Sequence, residues 1–389
     1  MLDLRVLISG AGVAGPALAL RLAEYGAQVT VVEVAPRLRD SGFAVDFRGP
    51  THMAVLRRLG VLDELRALQT HGGAMTCVDA SDREIFTLPP AFTGGELEVH
   101  RRDLSRVLHD RGADRVEYLF GDTLTEARDT GTGVRVRLRH AGERAYDLVV
   151  GADGMHSTVR RLAFGPEDGF VRRLGYHIAG WRLPNTFGVP AGSRQFNVPG
   201  RMASITPDPH DPSRATALVV FRSGGLEIDW HDQDAQKKIV AHAFAGLPWH
   251  VPALLDTLPD APDLYFDAIA RVRAPQWTSG RVALLGDAAW GATLGGMGVG
   301  TGLVGAHVLA GELALARTDP RRGLAAYEQR MRRYAGRWQK GTNAGRFLAP
   351  ATRWGLATRN RLFATALMRR MLLSGTNRLA TDTALPGYP

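Results

Sequence analysis

The sequence predicts a mixed α/β (α+β) fold, in which a parallel-sheet unit is interrupted by a mostly antiparallel sheet and closed by C-terminal helices. Three observations predict it. An apolar strand, a glycine turn, a helix and a second strand open the chain over residues 4–33. From 174 to 272 the texture changes to short alternating segments punctuated by Pro and Gly, and the apolar run Val282–Leu285 then returns to the first kind of strand.

Each element follows from local pattern. Leu4 to Ser9 is an apolar run that ends at glycines, Ala14 to Tyr25 has helical spacing, and Gln28 to Glu33 is β-branched, which together make a βαβ unit with parallel strands. Residues 51–68 read as one helix with Met53, Leu56, Leu59 and Leu62 on one side. Strands are expected at Met75 to Asp79, Glu84 to Leu88 and Leu97 to His100, a helix at Asp103 to Arg111, and further strands between Val116 and Val150 around the turn Asp129 to Gly133. In the middle stretch, Tyr176 to Leu183, Met202 to Thr206 and Ala215 to Phe221 alternate like strands, and Gln233 to Phe244 is helical. Beyond residue 319 the chain alternates Arg with Leu, Met and Trp, as in Tyr327, Met331, Tyr334 and Trp338.

Composition narrows the function. The formal charge of +9 comes almost wholly from arginine, since lysine occurs only at Lys237, Lys238 and Lys340. The arginines are scattered without an aromatic-interleaved stripe, so no nucleic-acid partner is expected. Cys77 is the only cysteine, which excludes an intrachain disulfide, a Cys-x-x-Cys pair and a thiolate metal cluster, and makes the cytoplasm the simplest location. No apolar run reaches the ~18 residues of a membrane span, so no integral membrane segment is expected.

Three motifs carry the chemistry. In Gly10-Ala11-Gly12-Val13-Ala14-Gly15, Gly10 permits a tight turn, Gly12 lets backbone approach a pyrophosphate, and Gly15 lets the helix sit close to the sheet. Helix N-terminal amides then favour phosphate, and Glu33 at the end of the second strand is placed to accept ribose hydroxyls. Gly151-Ala152-Asp153-Gly154 and Gly286-Asp287-Ala288-Ala289 each follow an apolar strand. Either aspartate suits a polyol such as a ribityl chain, which a nicotinamide dinucleotide lacks. Alone, each is equally a turn or helix cap.

With these motifs, and with Val99-His100-Arg101-Arg102-Asp103-Leu104, the chain resembles the class A, single-component FAD-dependent monooxygenases, the group of para-hydroxybenzoate hydroxylase and the tetracycline-modifying and polyketide-modifying enzymes. The resemblance covers nearly the whole chain. It implies a Rossmann-like FAD-binding domain made of 1–72, 99–173 and 273–318, a substrate domain made of 73–98 and 174–272, and C-terminal helices over 319–389. It implies reduction of FAD by NAD(P)H, capture of O₂ as a flavin C4a-hydroperoxide, and insertion of one oxygen atom into an aromatic or polyketide-like small molecule. The cofactor carries the difficult step. Alternatives on the same fold are a flavin oxidase or reductase and a non-catalytic flavin-binding homologue; a halogenase is disfavoured because no Trp-x-Trp-x-Ile-Pro run is present.

By the resemblance, Gly10, Gly12, Val13, Ala14 and Gly15 hold the diphosphate, Glu33 the adenosine ribose, Arg101 the phosphate or ribityl region and Asp287 the ribityl hydroxyls. Asp153 serves FAD and the reductant, and Leu124, ending a strand beside the adenine, offers backbone contacts. The amides of Gly298, Val299 and Gly300 open a helix that can stabilise negative charge on reduced flavin. Arg48 is a candidate to gate the flavin or bind substrate, with a surface ion pair to Asp46 as the alternative. His52, His100 and His177 are candidate general bases by residue type. Trp181, Phe196, Met202, Phe221 and Trp290 are candidate substrate-lining residues, with plain core as the alternative.

Two departures from the family pattern matter. The loop Trp290 to Gly298 lacks proline and is one residue shorter than in many relatives, and Val34 stands where relatives often carry Arg, so a basic contact to the reductant must come from Arg37, Arg39 or Arg48. The C-terminal helices are expected to cap the first domain, with a dimer contact or a membrane surface touched through Arg369 to Leu372 as alternatives; the chain is read as a monomer or homodimer.

Overall fold

The opening βαβ unit forms as the pattern predicts: strand Arg5–Ser9 pairs in parallel with Gln28–Glu33, and helix Ala14–Glu24 crosses between them. In this computed structural model the described residues are 2–39, 42–189, 191–226, 232–262, 264–294, 298–336, 343–365, 368 and 385–389. Trp338, residues 295–297 of the loop and the stretch 369–372 lie outside them.

The first sheet has six strands in the order Thr278–Ser279, Val282–Leu284, Leu148–Gly151, Arg5–Ser9, Gln28–Glu33 and Val116–Phe120. All its pairings are parallel except that of the two-residue edge strand. Strands from three distant segments thus lie side by side, so the three glycine motifs that follow Ser9, Gly151 and Leu284 emerge together at their C-terminal ends. Such a sheet is buried on both faces, which is why these strands read as continuous Val, Leu and Ile rather than as alternation. Helices Ala14–Glu24, Arg101–Gly112 and Gly298–Ala316 pack on it, and the antiparallel strands Leu124–Asp129, Val134–Leu138 and Gly142–Tyr146 add a small sheet to the same core.

The second large sheet has seven strands in the order Tyr265–Val272, Val171–Pro184, Arg214–Arg222, Arg201–Pro207, Ser193–Val198, Met75–Val78 and Glu84–Leu88. Only the pairing of Ser193–Val198 with Met75–Val78 is parallel. Strand alternation sorts its two faces. Trp181, Ala217, Val219 and Phe221 pack with Val240, Phe244 and Leu254, whereas Met202, Val220, Ile178 and Tyr176 turn the other way, towards Phe43 and Tyr265.

One local expectation is corrected, and two placements are added to the pattern. Residues 51–68 form two helices, Gly49–Arg58 and Leu62–Ala67, rather than one. The break is a Schellman stop, in which Gly60 at φ +68° donates to the Arg57 carbonyl and Val61 to that of Leu56. Leu97–His100 pairs with Ala44–Phe47 in a separate ribbon and does not join the seven-stranded sheet. A second helix, Val251–Thr257, follows Gln233–Phe244 and completes the cover on one face.

Helix Gly298–Ala316 is long and apolar enough to cross a membrane, but most of it is buried in the protein core. Its far end is held by Tyr388. That side chain is 4% exposed, its ring fills the space over Gly311, its hydroxyl donates to Glu312 Oε1 at 2.7 Å, and it meets the His307 ring edge-on at 5.3 Å. Tyr388→Ala is expected to cost about 3 kcal/mol, since a buried aromatic is lost with its hydrogen bond. Urea unfolding of the two proteins measures it, and an unchanged midpoint contradicts the assignment.

Candidate cofactor site

The first glycine turn has no room for side chains. A Cβ on Gly15 would stand 1.9 Å from the Gly10 carbonyl oxygen, and one on Gly10, where φ is +107°, 2.5 Å from that of Ala152. Turn and helix are therefore locked together and to the second motif. The Gly12, Val13, Ala14 and Gly15 amides have no hydrogen-bond acceptor among the described residues, so four donors point out of the N-terminal end of helix Ala14–Glu24. Glu33 is 8% exposed and fixes the turn from the side: Oε2 accepts from the Ala11 amide at 2.8 Å and Oε1 from that of Ala35 at 3.0 Å. Arg39 approaches the same carboxylate at 3.5 Å.

Arg101 begins helix Arg101–Gly112, and its guanidinium is laid over the turn, with Nη2 3.5 Å from where a Gly12 Cβ would be. It has no hydrogen-bond acceptor or ion-pair partner among the described residues. Asp287 begins the short helix Asp287–Trp290, and Oδ1 lies 3.6 Å from where a Gly298 Cβ would be. Its carboxylate receives no hydrogen bond among the described residues. Burial pushes its pKa up; Arg101 opposes this, and Asp267 adds to it. A cation, four amides and a half-buried anion, each without a partner among the described residues, thus converge from segments far apart in sequence. These are the donors that a diphosphate needs and the acceptor that a polyol needs, so the residues present fit FAD.

The other expected residues divide. Gly298, Val299 and Gly300 open the helix beside Asp287, as expected. Asp153 is placed differently: it accepts from Ser9 at 3.2 Å, from the Val159 amide at 3.1 Å and from the Ser157 hydroxyl, so it fastens the second motif to the first strand. Leu124 opens strand Leu124–Asp129 of the small antiparallel sheet rather than ending a strand; the strand beside Glu33 ends at Phe120.

Arg48 pairs with Asp46 and donates to the Ala91 carbonyl at 2.9 Å, which is the ion-pair alternative, though in a buried setting. His52 is 2% exposed, with Nδ1 accepting from the Arg48 amide at 3.3 Å and Nε2 facing the Tyr334 hydroxyl at 3.3 Å. Its ring is packed against Gly300, and burial holds its pKa down at about 4. With both ring nitrogens engaged, it positions the helix end and presents no lone pair to a substrate. His177 is likewise core, bonded to Ser223 Oγ and stacked on Phe221, with burial lowering its pKa to about 4. His100 faces Asp208 at 3.7 Å, and burial followed by the Arg102 charge lowers its pKa.

These neutral histidines make a pH prediction. An imidazole with an ordinary value of 6.5 when unfolded and about 4 when folded takes up its proton on unfolding, so stability is complete above 6.5 and falls as pH drops towards 4. Melting temperature is expected to be lower at pH 5 than at pH 7, with the slope reduced in His177→Phe; a slope unchanged by that substitution contradicts the buried neutral assignment.

Of the substrate candidates, Trp181, Phe196 and Phe221 are core on the helix-covered face; Trp181 Nε1 donates to Thr257 and Phe196 stacks on Trp249 at 5.7 Å. Trp290 packs on Trp277 at 4.7 Å and against Gly305. Met202 alone faces the side of Phe43 and Tyr265. Sequence reasoning missed those two aromatics, although Tyr265 and Asp267 stand two apart on strand Tyr265–Val272, a spacing that puts both on one face.

Comparison with known proteins gives the same direction. Residues 3–172 match the family described as "FAD binding domain". The chain is 39% identical over 329 residues, 83% of its length and 88% of the relative's, to the uncharacterized protein Rv1260 of Mycobacterium tuberculosis (strain ATCC 25618 / H37Rv). It is 34% identical over 335 residues to a "Flavin-dependent monooxygenase" from an unknown prokaryotic organism, covering 85% of this chain and 86% of that one. The crystal structure of tetracycline destructase Tet(51) superposes with a TM-score of 0.85 and 27% identity over 100% of both chains.

Proposed function

The chain belongs to the FAD-dependent monooxygenases of class A, and from that premise we propose that it uses NAD(P)H and O₂ to insert one oxygen atom into an aromatic or polyketide-like small molecule. The observation that carries the cofactor half is the Arg101 guanidinium over Gly12 in the field of the Asp287 carboxylate, neither with a hydrogen-bond partner among the described residues.

Activation of O₂ and oxygen transfer are the chemistry the flavin supplies when bound. The chain's own residues bind, orient and shield. Arg101 and the amides of residues 12–15 hold the diphosphate, and Glu33 fixes the turn while keeping lone pairs for the adenosine ribose. Asp287 takes the ribityl hydroxyls. The first-turn amides of Gly298–Ala316, stiffened by His52 packed on Gly300, would offer a positive helix end to negative charge on the bound cofactor. Asp153, which fastens the second motif to Ser9, and His52, held by the Arg48 amide and packed on Gly300, act by positioning these groups.

The substrate side is the face of the seven-stranded sheet that carries Met202 and Tyr265 and on which Phe43 packs, which is apolar but for the Tyr176 and Tyr265 phenols and the Asp267 carboxylate. Its chemistry and the likeness to a tetracycline destructase support a fused or polycyclic aromatic substrate. Substrate-stimulated NADPH and NADH oxidation across a panel of phenols and aromatic polyketides tests this. Stimulation by at least one aromatic compound is expected; stimulation by aliphatic ketones alone contradicts it.

A further inference from the structure

Beside the residues already assigned, four titratable side chains form one line from the surface towards Arg101 and Asp287. His156 follows the second glycine motif, and its Nδ1 faces Glu167 at 3.0 Å while its Nε2 faces Asp267 at 3.3 Å. With a carboxylate on each nitrogen, both positions donate, so the ring is a cation bridging the first sheet's loop to the second sheet's edge strand. Asp267 and Tyr265 share a face of that strand. The Tyr265 ring meets Phe43 edge-on at 5.3 Å, Phe43 lies against Gly180, and the Phe43 carbonyl accepts the Arg101 amide at 3.3 Å. The phenol sits in the fields of Asp267, Arg101 and Asp287, and burial, reinforced by Asp267, pushes its pKa up, so it stays protonated.

Resting on the FAD reading above, we infer that Tyr265 is a further cofactor-contacting residue, whose hydroxyl donates to Asp267 and offers its oxygen to the flavin's polyol region, and that His156 and Glu167 are positioning residues that hold Asp267. His156 and Glu167 lie at the boundary between two sheets where a neutral contact would serve packing equally well. A phenol hydroxyl brought near the Arg101–Asp287 pair adds an orientable donor and acceptor to the charges and backbone amides there.

The charge of His156 makes the arrangement readable. Burial disfavours the imidazolium, but Asp267 and Glu167 outweigh it and hold the pKa up at about 9. The other charged groups facing the line are Arg160, 3.8 Å from Glu167, with Arg173, His177, Arg101 and Asp287. A raised imidazole is fully charged below its ordinary 6.5, and its contribution is lost as pH rises through about 9.

The test is the dissociation constant of FAD from the full-length protein, followed by flavin fluorescence, for wild type, Tyr265→Phe and His156→Gln between pH 7 and 10. Tyr265→Phe keeps the ring and is expected to weaken FAD binding about tenfold, the size of one lost hydrogen bond, with the melting temperature of the FAD-free protein lowered by no more than the loss of the hydrogen bond to Asp267 accounts for. Wild type is expected to weaken as pH passes about 9, and His156→Gln to be weaker at pH 7 with that step gone. A Tyr265→Phe constant within twofold of wild type overturns the contact, and a step retained in His156→Gln overturns the positioning line. A wild type that binds no FAD overturns the underlying reading, which is a separate and distinguishable failure.

Discussion

Asp287→Ala is expected to purify folded and almost free of flavin. The carboxylate accepts no hydrogen bond among the described residues and is buried enough that its pKa is pushed up, so in the FAD-free protein it is a cost rather than a support. Its removal should leave the melting temperature of the FAD-free protein unchanged or higher. With FAD bound the sign reverses. One or two hydrogen bonds to a charged acceptor contribute about 2–4 kcal/mol, so the dissociation constant is expected to rise roughly 30- to 1000-fold. The pair of measurements separates a binding residue from a structural one: a variant that melts lower yet keeps its FAD has Asp287 in the wrong role.

Gly15→Ala is expected to fail at the level of the fold. The added methyl would overlap the Gly10 carbonyl at 1.9 Å and touch Ile8 at 3.4 Å, and Gly10 cannot retreat because its own back is against Ala152 and Asp153. Relief requires the helix Ala14–Glu24 to lift from the sheet, breaking the packing of Leu18 and Leu22, both 0% exposed. The cost is about 3 kcal/mol or more, at the upper end for overpacking, and the four free amides lose their aim. Soluble yield, melting temperature and flavin content should all fall together. A variant with wild-type melting temperature contradicts the close approach on which the diphosphate site is built.

The parts of this protein that sequence made legible are those where one residue type answers one backbone demand. The glycine turn, the parallel strands flanking it and the return of Val282–Leu284 to the same sheet follow from steric need and from strands buried on both faces. The face of each strand in the antiparallel sheet was not legible, because Trp181, Phe196, Met202 and Phe221 carry the same chemistry whether they meet a helix or a ligand. Register decides: Met202 pairs opposite Val220, on the face away from Ala217 and Phe221, and that pairing is set by contacts distant in sequence. Histidine roles were hidden for the same reason. His52 is a plausible base by residue type, and only the packing of Gly300 and the hydroxyl of Tyr334 against its ring show that it is spent. Asp153 shows the converse: its reading as a cap was available from Ser157 and Val159 downstream, and the structure uses it so.

We propose that the Arg101–Asp287 site holds FAD for the insertion of one oxygen atom. The most direct test of this is mass spectrometry of the product formed by the flavin-loaded protein with NADPH, an aromatic substrate that stimulates NADPH oxidation, and isotopically labelled O₂. The predicted result is a product carrying one labelled oxygen atom, formed by wild type and not by Asp287→Ala. NADPH consumption with all of the label recovered in hydrogen peroxide and none in the organic compound would contradict it.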